Sequence, residues 1–586
     1  MSKIVLDGRR EYTLEAPDGA YSVCAKISDD GRMDLIDVVF DSDEPAVPPV
    51  ITISWEIPSV DIQGVWHPVC HTSRGIPCVW EGGWTSTAAK SAPMCCLFSS
   101  GGENRLMYAC SDAMNPVNYR FVLREEDSNW LCSTKLFDAP TAECSHYECT
   151  FRIDYRSIPY EDAIEDVVSW WAAMPEYTPM PSVDECLHPL YSTWYSFHQY
   201  AYGPEIEDVL KSAAPLGFKA VIVDDGWQME DSQRTYAYCG DWEVSPKKIP
   251  DMKEHVAKVH AMGLKYYLWY SVPFVGKFSR AYEKFRGKYF GSGDTVVLDP
   301  RYPDVREYLI STYENAVKEW DLDGFKLDFI DNFSQPEKEN PEAAEGRDFV
   351  SVPQAVDRLM TDIKLRLQAI KPNIAIEFRQ SYIGPLMRKY GNMFRAADCA
   401  NDTVTNKIRT IDTRLCVGTS AVHSDMITWN KEDSAAAAAL QFIGTMFAVP
   451  QISVRPATLP EDHRLMLKNW IKFWEDHRDA LLNGKFRAQN PELLYTSASS
   501  ETRSCYVAGA YAASAVIPAP SGNPEHIAVA NGSGSDGVYI KLSRGDTYEG
   551  EIRDCLGNVT GSVAATGNNI YFLNIPSGGT AVLNKK

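Results

Sequence analysis

The chain has 586 residues, 45% of them apolar and 23% charged, with a formal net charge of −22. That length exceeds what one core usually needs and points to two or three domains. The acidic balance argues against nucleic acid or anionic membranes as partners, because both demand a basic face.

The amino terminus has no apolar run that could serve as a signal peptide, and no stretch is long and apolar enough to span a bilayer. Fifteen cysteines are scattered without a CxxC pair, and His and Cys never cluster at ligand spacing. Reduced thiols in a cytoplasmic protein, with no metal and no cofactor, are the expectation. Residues 1–178 read as a β-sandwich of short alternating runs such as Tyr21–Ala25 and Tyr147–Ile153, closed by a helix over Tyr160–Ala173 and a proline-rich linker.

From about Leu190 the rhythm becomes strand, loop, helix. The expected strands are Leu190–Phe197, Ala220–Asp225, Lys265–Ser271, Gly324–Phe329, Ile374–Phe378, Met393–Asp398, Gly418–His423 and Met446–Val449. Helices such as Pro303–Trp320 and Val352–Ile370 lie between them. This alternation over 179–488 predicts an α/β fold with a central (β/α)8 TIM barrel, and no Gly-rich phosphate loop supports an open nucleotide-binding sheet instead. Residues 489–586 return to short β runs, His526–Ala530 and Val538–Leu542 among them, and predict a small carboxyl-terminal β-sandwich.

Acidic residues fall where barrel strands end: Asp224, Asp225, Asp328, Asp398 and Asp402. Glycoside cleavage with retention needs two carboxyls, one attacking the anomeric carbon and one donating and then accepting a proton. Strands four and six are near enough around a rim for Asp328 and Asp398 to face each other. Singly, each acid has a plainer reading. Asp328 pairs with Lys326, Asp224-Asp225 caps a helix, and Asp398 holds Arg395. Trp194, Trp227, Trp242 and Trp269 also cluster near strand ends, where aromatic rings pave sugar pockets; Trp242, in a loop after Gly240-Asp241, is the strongest of them.

The motifs Asp224-Asp225-Gly226-Trp227, Gly240-Asp241-Trp242, Gly263–Trp269, Val296–Pro300, Pro303–Leu309 and Gly324–Asp328 keep the order and spacing of a barrel family. Over about 190–330 the chain resembles glycoside hydrolase family 36, with some likeness to family 27 farther on. The resemblance implies a metal-free retaining enzyme in which Asp328 is the nucleophile and Lys326 hydrogen-bonds the sugar. Asp224 and Asp225 would hold O4 and O6, and Trp269 would line the ring site. Asp398 falls at the acid/base position, with Asp402 as the alternative, and Arg395 would contact O2 and O3. Arg379, in Glu377–Tyr382, stands where the family carries a Gly-rich segment that reads the C2 substituent. The leading expectation is an exo-α-galactosidase acting on an oligosaccharide or glycoconjugate with terminal α-galactose. The alternatives are an α-N-acetylgalactosaminidase, then a galactosyl transferase or a non-catalytic carbohydrate-binding protein. Whether the chain forms a homo-oligomer is open.

Overall fold

The computed structural model describes residues 2–586 except 30, 140, 231–234, 334–344, 544 and 568. Alternating apolar residues between Ser2 and Asp154 assemble two six-stranded antiparallel sheets. Their inner faces, with Trp55, Phe121 and Trp130 on one and Ile36, Tyr108 and Phe151 on the other, share one core. The helix Tyr160–Ala172 follows and buries Ile164, Val167, Val168 and Trp171, the stripe that its 3.6-residue period sets.

Eight parallel strands then alternate with helices. They are Leu190–Ser192, Ala220–Val223, Lys265–Ser271, Gly324–Asp328, Ala375–Arg379, Met393–Arg395, Ala421–His423 and Gln451–Ile452, and they form one sheet. The seventh and eighth edges meet through Val449 N–H to the Val422 carbonyl at 2.8 Å and Ile427 N–H to the Gln451 carbonyl at 2.7 Å. The sheet is therefore closed, a (β/α)8 barrel with β-rich regions on either side. The fourth strand shows how the sequence builds it. Phe325 and Leu327 are fully buried, and the Phe325 ring meets Tyr313 of the helix Pro303–Trp320 at 5.7 Å. Lys326 and Asp328 point the other way, into the barrel. Gly324 starts the strand where a Cβ would lie 2.6 Å from the Ala375 carbonyl, so a side chain there would push two strands apart.

Four expected strands are corrected. The first stops at Ser192, and Trp194–Phe197 is a short helix. The sixth ends at Arg395, which leaves Asp398 in the following loop. The seventh begins at Ala421, after Gly418 adopts φ 55° behind the helix Thr403–Val417. The last is Gln451–Ile452 rather than Met446–Val449. Met446 and Ala448 instead wind down from the helix Ala435–Thr445, and the Trp474 indole bonds both of their carbonyls, at 3.0 and 2.9 Å. The apolar run there is buried, but as a helix end.

Carboxyl-terminal to the barrel, a seven-stranded sheet begins with Lys485–Gln489 and packs with a three-stranded sheet over a separate core. Arg487 pairs with Asp162 at 2.8 Å and ties this sheet to the helix that precedes the barrel.

Candidate active site

Asp328 ends the fourth strand, its side chain only 6% exposed. The Trp269 indole donates to one oxygen at 3.0 Å. The other oxygen accepts from Arg379 Nε and the Phe329 N–H, both at 2.9 Å, and from the Tyr382 hydroxyl. Burial pushes this carboxyl up, yet the Arg379 and Lys326 charges, with the Tyr382 and Trp269 donors, overcome it and hold Asp328 well below the usual carboxylate range. The group is therefore an anion at neutral pH.

Lys326, one step back on the strand, is buried and reaches Asp224 at 2.6 Å, while its nitrogen lies 3.9 Å from Asp328. Two buried acids thus share one buried cation, and removing it would strand a charge at a cost of about 3–5 kcal/mol. Asp224 also accepts the Asp225 N–H at 2.9 Å. Both Asp225 oxygens are engaged, by Gln199 at 2.9 Å and Gln228 at 2.8 Å. Burial raises the Asp225 carboxyl to about 6 against those two amides, and the Asp224 charge adds to the rise.

The opposite wall is built differently. Asp398, 50% exposed, accepts from Arg395 Nη2 at 2.9 Å. Burial of its inner part raises it, but Arg395, then Lys326 and Arg379, win and lower it, while the Asp328 charge resists. Arg395 itself is fully buried. Its Nη1 is bonded to Asp425 and to the Ala396 carbonyl, and its Nε stands 3.6 Å from Glu377. Arg395 therefore has no exposed surface of its own. Asp402 caps the helix Thr403–Val417 by accepting the Thr405 N–H at 2.9 Å, and its capping oxygen faces the helix.

The aromatic residues sort unexpectedly. Trp269 is 1% and Trp242 5% exposed, so neither ring presents an open face. Trp242, in a left-handed turn at φ 56°, packs behind Trp269 and beside Trp227, with ring centroids at 6.0 and 6.2 Å. Trp269 acts through its N–H on Asp328. The ring over it is Tyr236, 6.3 Å away and also 5.1 Å from Phe329. Burial lifts the Tyr236 phenol above its ordinary range, and Asp225, Asp328 and Asp224 add to the lift. Trp194 meets His198 edge-on at 5.0 Å.

Asp224, Lys326, Asp328 and Arg379 thus form one bonded set and Arg395 with Asp398 a second, and the charges of Lys326, Arg379 and Asp328 act on Asp398 across the space between them. Trp242 and Asp402 stand outside both. Sequence reading did not single out Tyr236, Glu377, Tyr382, Asp425 or Tyr195. For Tyr382 a signal existed, since it closes the polar segment Glu377–Tyr382 just past a strand end; Asp425 is a lone acid between serine and methionine. Among the described residues no three metal-ligating side chains gather into a site.

The family described as Melibiase matches residues 187–484, the whole barrel. The α-galactosidase AgaA of Geobacillus stearothermophilus is 28% identical over 171 residues, covering 26% of this chain and 22% of its own length. α-Galactosidase 2 of Pediococcus pentosaceus is 26% identical over 171 residues, covering 28% of this chain and 23% of its own. The chain therefore spans less than a quarter of these curated relatives' length in alignment. Solved structures agree over far more of it. The family 36 α-galactosidase AgaB of G. stearothermophilus superimposes with a TM-score of 0.68 at 15% identity, over 98% of this chain and 83% of that one. A variant of AgaA in complex with raffinose does so with a TM-score of 0.64 at 16% identity, over 100% and 83%. At such identities the likeness is one of fold, including the β-rich regions on both sides of the barrel.

Proposed function

The chain belongs to the melibiase family, and on that footing we propose that it is a retaining exo-α-galactosidase with Asp328 as nucleophile and Asp398 as acid/base. One observation carries the assignment: Asp328 is the buried carboxylate at the end of the fourth barrel strand, with four donors fixing its two oxygens in the ionised form. An anion held that way cannot serve as a proton donor, but it can attack a carbon centre above it. A half-exposed carboxyl on the neighbouring loop supplies the proton.

In the first step an Asp328 oxygen forms a bond to C1 of the α-galactoside. The bond from C1 to the aglycone oxygen breaks, and its electron pair takes the proton from Asp398. In the second step water attacks C1 and gives its proton to Asp398. The C1–Asp328 bond then breaks and returns the carboxylate, and two inversions restore the α anomer. Asp398 lies below its ordinary range without substrate, because Arg395 is beside it. A bound sugar would cover its exposed half and desolvate it, which raises the carboxyl toward the protonated form that the first step needs. Lys326 and Asp224 supply a charged donor and an acceptor on the sugar's side, and the phenol of Tyr236 supplies another polar contact.

Galactose is the proposed sugar. A 2-acetamido sugar is the second reading, favoured by Arg379 in the strand-five segment beside the nucleophile. Rates on nitrophenyl α-galactoside and α-N-acetylgalactosaminide, side by side, separate the two. Fifteen free thiols, most of them buried, fit a reducing compartment, and a cytoplasmic site of action belongs to the same proposal. No helix among the described residues is long and apolar enough to cross a membrane.

The decisive experiment is Asp328→Ala with and without azide on an aryl α-galactoside. Turnover should fall by roughly 10⁴-fold or more, and azide should restore part of it as a β-galactosyl azide. Near wild-type turnover in the variant would refute the assignment of the nucleophile.

A further inference from the structure

Beyond the reacting pair, one buried acid touches both sides of the loop that carries Asp398. Asp425 follows the seventh strand and is fully buried. One of its oxygens takes Arg395 Nη1. The other accepts the Cys399 N–H at 2.7 Å and the Tyr195 hydroxyl at 2.8 Å. Its own N–H and carbonyl are bonded to Asn406, at 3.1 and 3.2 Å, so the carboxylate has a rigid mount. Cys399 is the residue next to Asp398, and Arg395 is the side chain that Asp398 leans on.

Resting on the acid/base reading of Asp398, we propose that Asp425 is a positioning residue for it. Asp425 clamps the Cys399 peptide on one side of Asp398 and takes a share of the Arg395 guanidinium on the other. It thereby fixes where the Asp398 carboxyl points and how much positive charge it feels. The groups that face this arrangement come from most of the barrel. Tyr195 follows the first strand, Lys326 and Asp328 belong to the fourth, and Glu377 and Arg379 to the fifth. Arg395 and Cys399 come from the sixth strand and its loop, and His423 from the seventh. Arg409 of the helix Thr403–Val417 donates to the Asp398 carbonyl at 2.7 Å, which places a further cation on the backbone of the loop. His423 is neutral, since burial pushes it down to about 4. Glu377, raised by burial to about 7 against Arg395, Lys326 and Gln451, competes only weakly for Arg395 at its 3.6 Å separation. Burial raises the Asp425 carboxyl against the pull of Arg395, and through its bond to Nη1 it is the nearer of the two acids that keep Arg395 from belonging wholly to Asp398.

The sign follows from Coulomb's law. Removing the Asp425 charge takes a negative neighbour from Asp398 and frees Arg395 for it. Both changes favour the ionised form of Asp398. The protonated acid then disappears at lower pH, so the basic limb of kcat/KM moves down.

The test is Asp425→Asn, with Tyr195→Phe as the milder variant that removes one donor and leaves the charge pair in place. The pH profile of kcat/KM is measured on two aryl α-galactosides, one with a good leaving group (4-nitrophenyl) and one with a poor one (4-methoxyphenyl). In Asp425→Asn the basic limb should move down by about one pH unit. Loss on the poor leaving group should exceed loss on the good one by about tenfold, because only the former needs the proton. Tyr195→Phe takes a donor off the Asp425 anion and leaves its charge less shielded, so the same limb should move the other way, upward and by less, and this variant decides the matter if the asparagine variant does not fold. An unmoved basic limb in a folded variant, or equal losses on both substrates, overturns the proposal. Asp398→Ala runs alongside. If it discriminates between leaving groups while Asp425→Asn does not, the positioning role alone fails. If Asp398→Ala does not discriminate, the acid/base reading fails and the role of Asp425 falls with it.

Discussion

The two carboxylates proposed to react are held in opposite ways, each on its own wall of the barrel's rim. On the wall made by the fourth and fifth strands, Asp328 sits at the end of regular structure, 6% exposed, with four donors on its two oxygens. On the wall made by the sixth strand's loop, Asp398 is 50% exposed and rests on one guanidinium. The first arrangement fixes a charge, and the second leaves one adjustable. A nucleophile has to be ionised when it attacks, whereas an acid/base group has to gain and lose a proton. The difference between the walls fits the two roles proposed for Asp328 and Asp398.

The comparison breaks most visibly at Asp398. Asp398→Ala should reduce kcat/KM on a poor leaving group by about 10²- to 10⁴-fold, with a much smaller loss on 4-nitrophenyl α-galactoside. The basic limb of the pH profile should vanish with it. Equal losses across leaving groups would mean that this wall supplies no proton.

The next effect tests the rigid wall. Tyr382→Phe removes one donor from the Asp328 anion, and a hydrogen bond to a charged group contributes about 1.5–3 kcal/mol. Asp328 is held down in the folded protein, so losing the donor lets its pKa rise, by about one to two units. The acid limb of kcat/KM, set by protonation of the nucleophile, should therefore move to higher pH. An unmoved limb would show that Arg379 and Lys326 hold the charge without help.

The contrast between the walls also explains what could be read from the chain. The strand 323–329 announces itself, since apolar Phe325 and Leu327 alternate with Lys326 and Asp328, and the same local pattern fixes both strand and charge. The barrel's helices were legible for the same reason: Pro303–Trp320 and Val352–Ile370 have the expected ends. The loop wall carries no such pattern. Arg395 and Asp398 are three residues apart and could be paired by eye, but Glu377 reaches them from the fifth strand, and Tyr195 and Asp425 from the segments after the first and seventh. Nothing local marks Asp425 as a partner of Arg395. The tryptophans misled for a related reason. Whether a ring faces a pocket or backs it depends on what lies over it, and Tyr236, from a distant loop, covers Trp269.

The smallest effect concerns the other acid of the loop wall. Asp402 accepts the Thr405 N–H at 2.9 Å as the cap of the helix Thr403–Val417. Asp402→Ala should therefore register as stability, about 1 kcal/mol in a urea titration. The helix macrodipole favours the ionised cap at that end, and the Asp402 carboxyl lies below its ordinary range: burial raises it, but the Thr405, Val404 and Arg409 interactions together outweigh that. The cap's contribution is accordingly present above the ordinary carboxylate range and fades as pH falls through its lowered value, so the variant and the parent chain should converge in stability toward acid pH. Against this stands the alternative that Asp402 is the acid/base. In that case Asp402→Ala would show the leaving-group dependence expected of Asp398→Ala, and its loss of activity would exceed what its melting behaviour accounts for. The two variants measured on the same pair of substrates decide which carboxyl of the adjustable wall handles the proton.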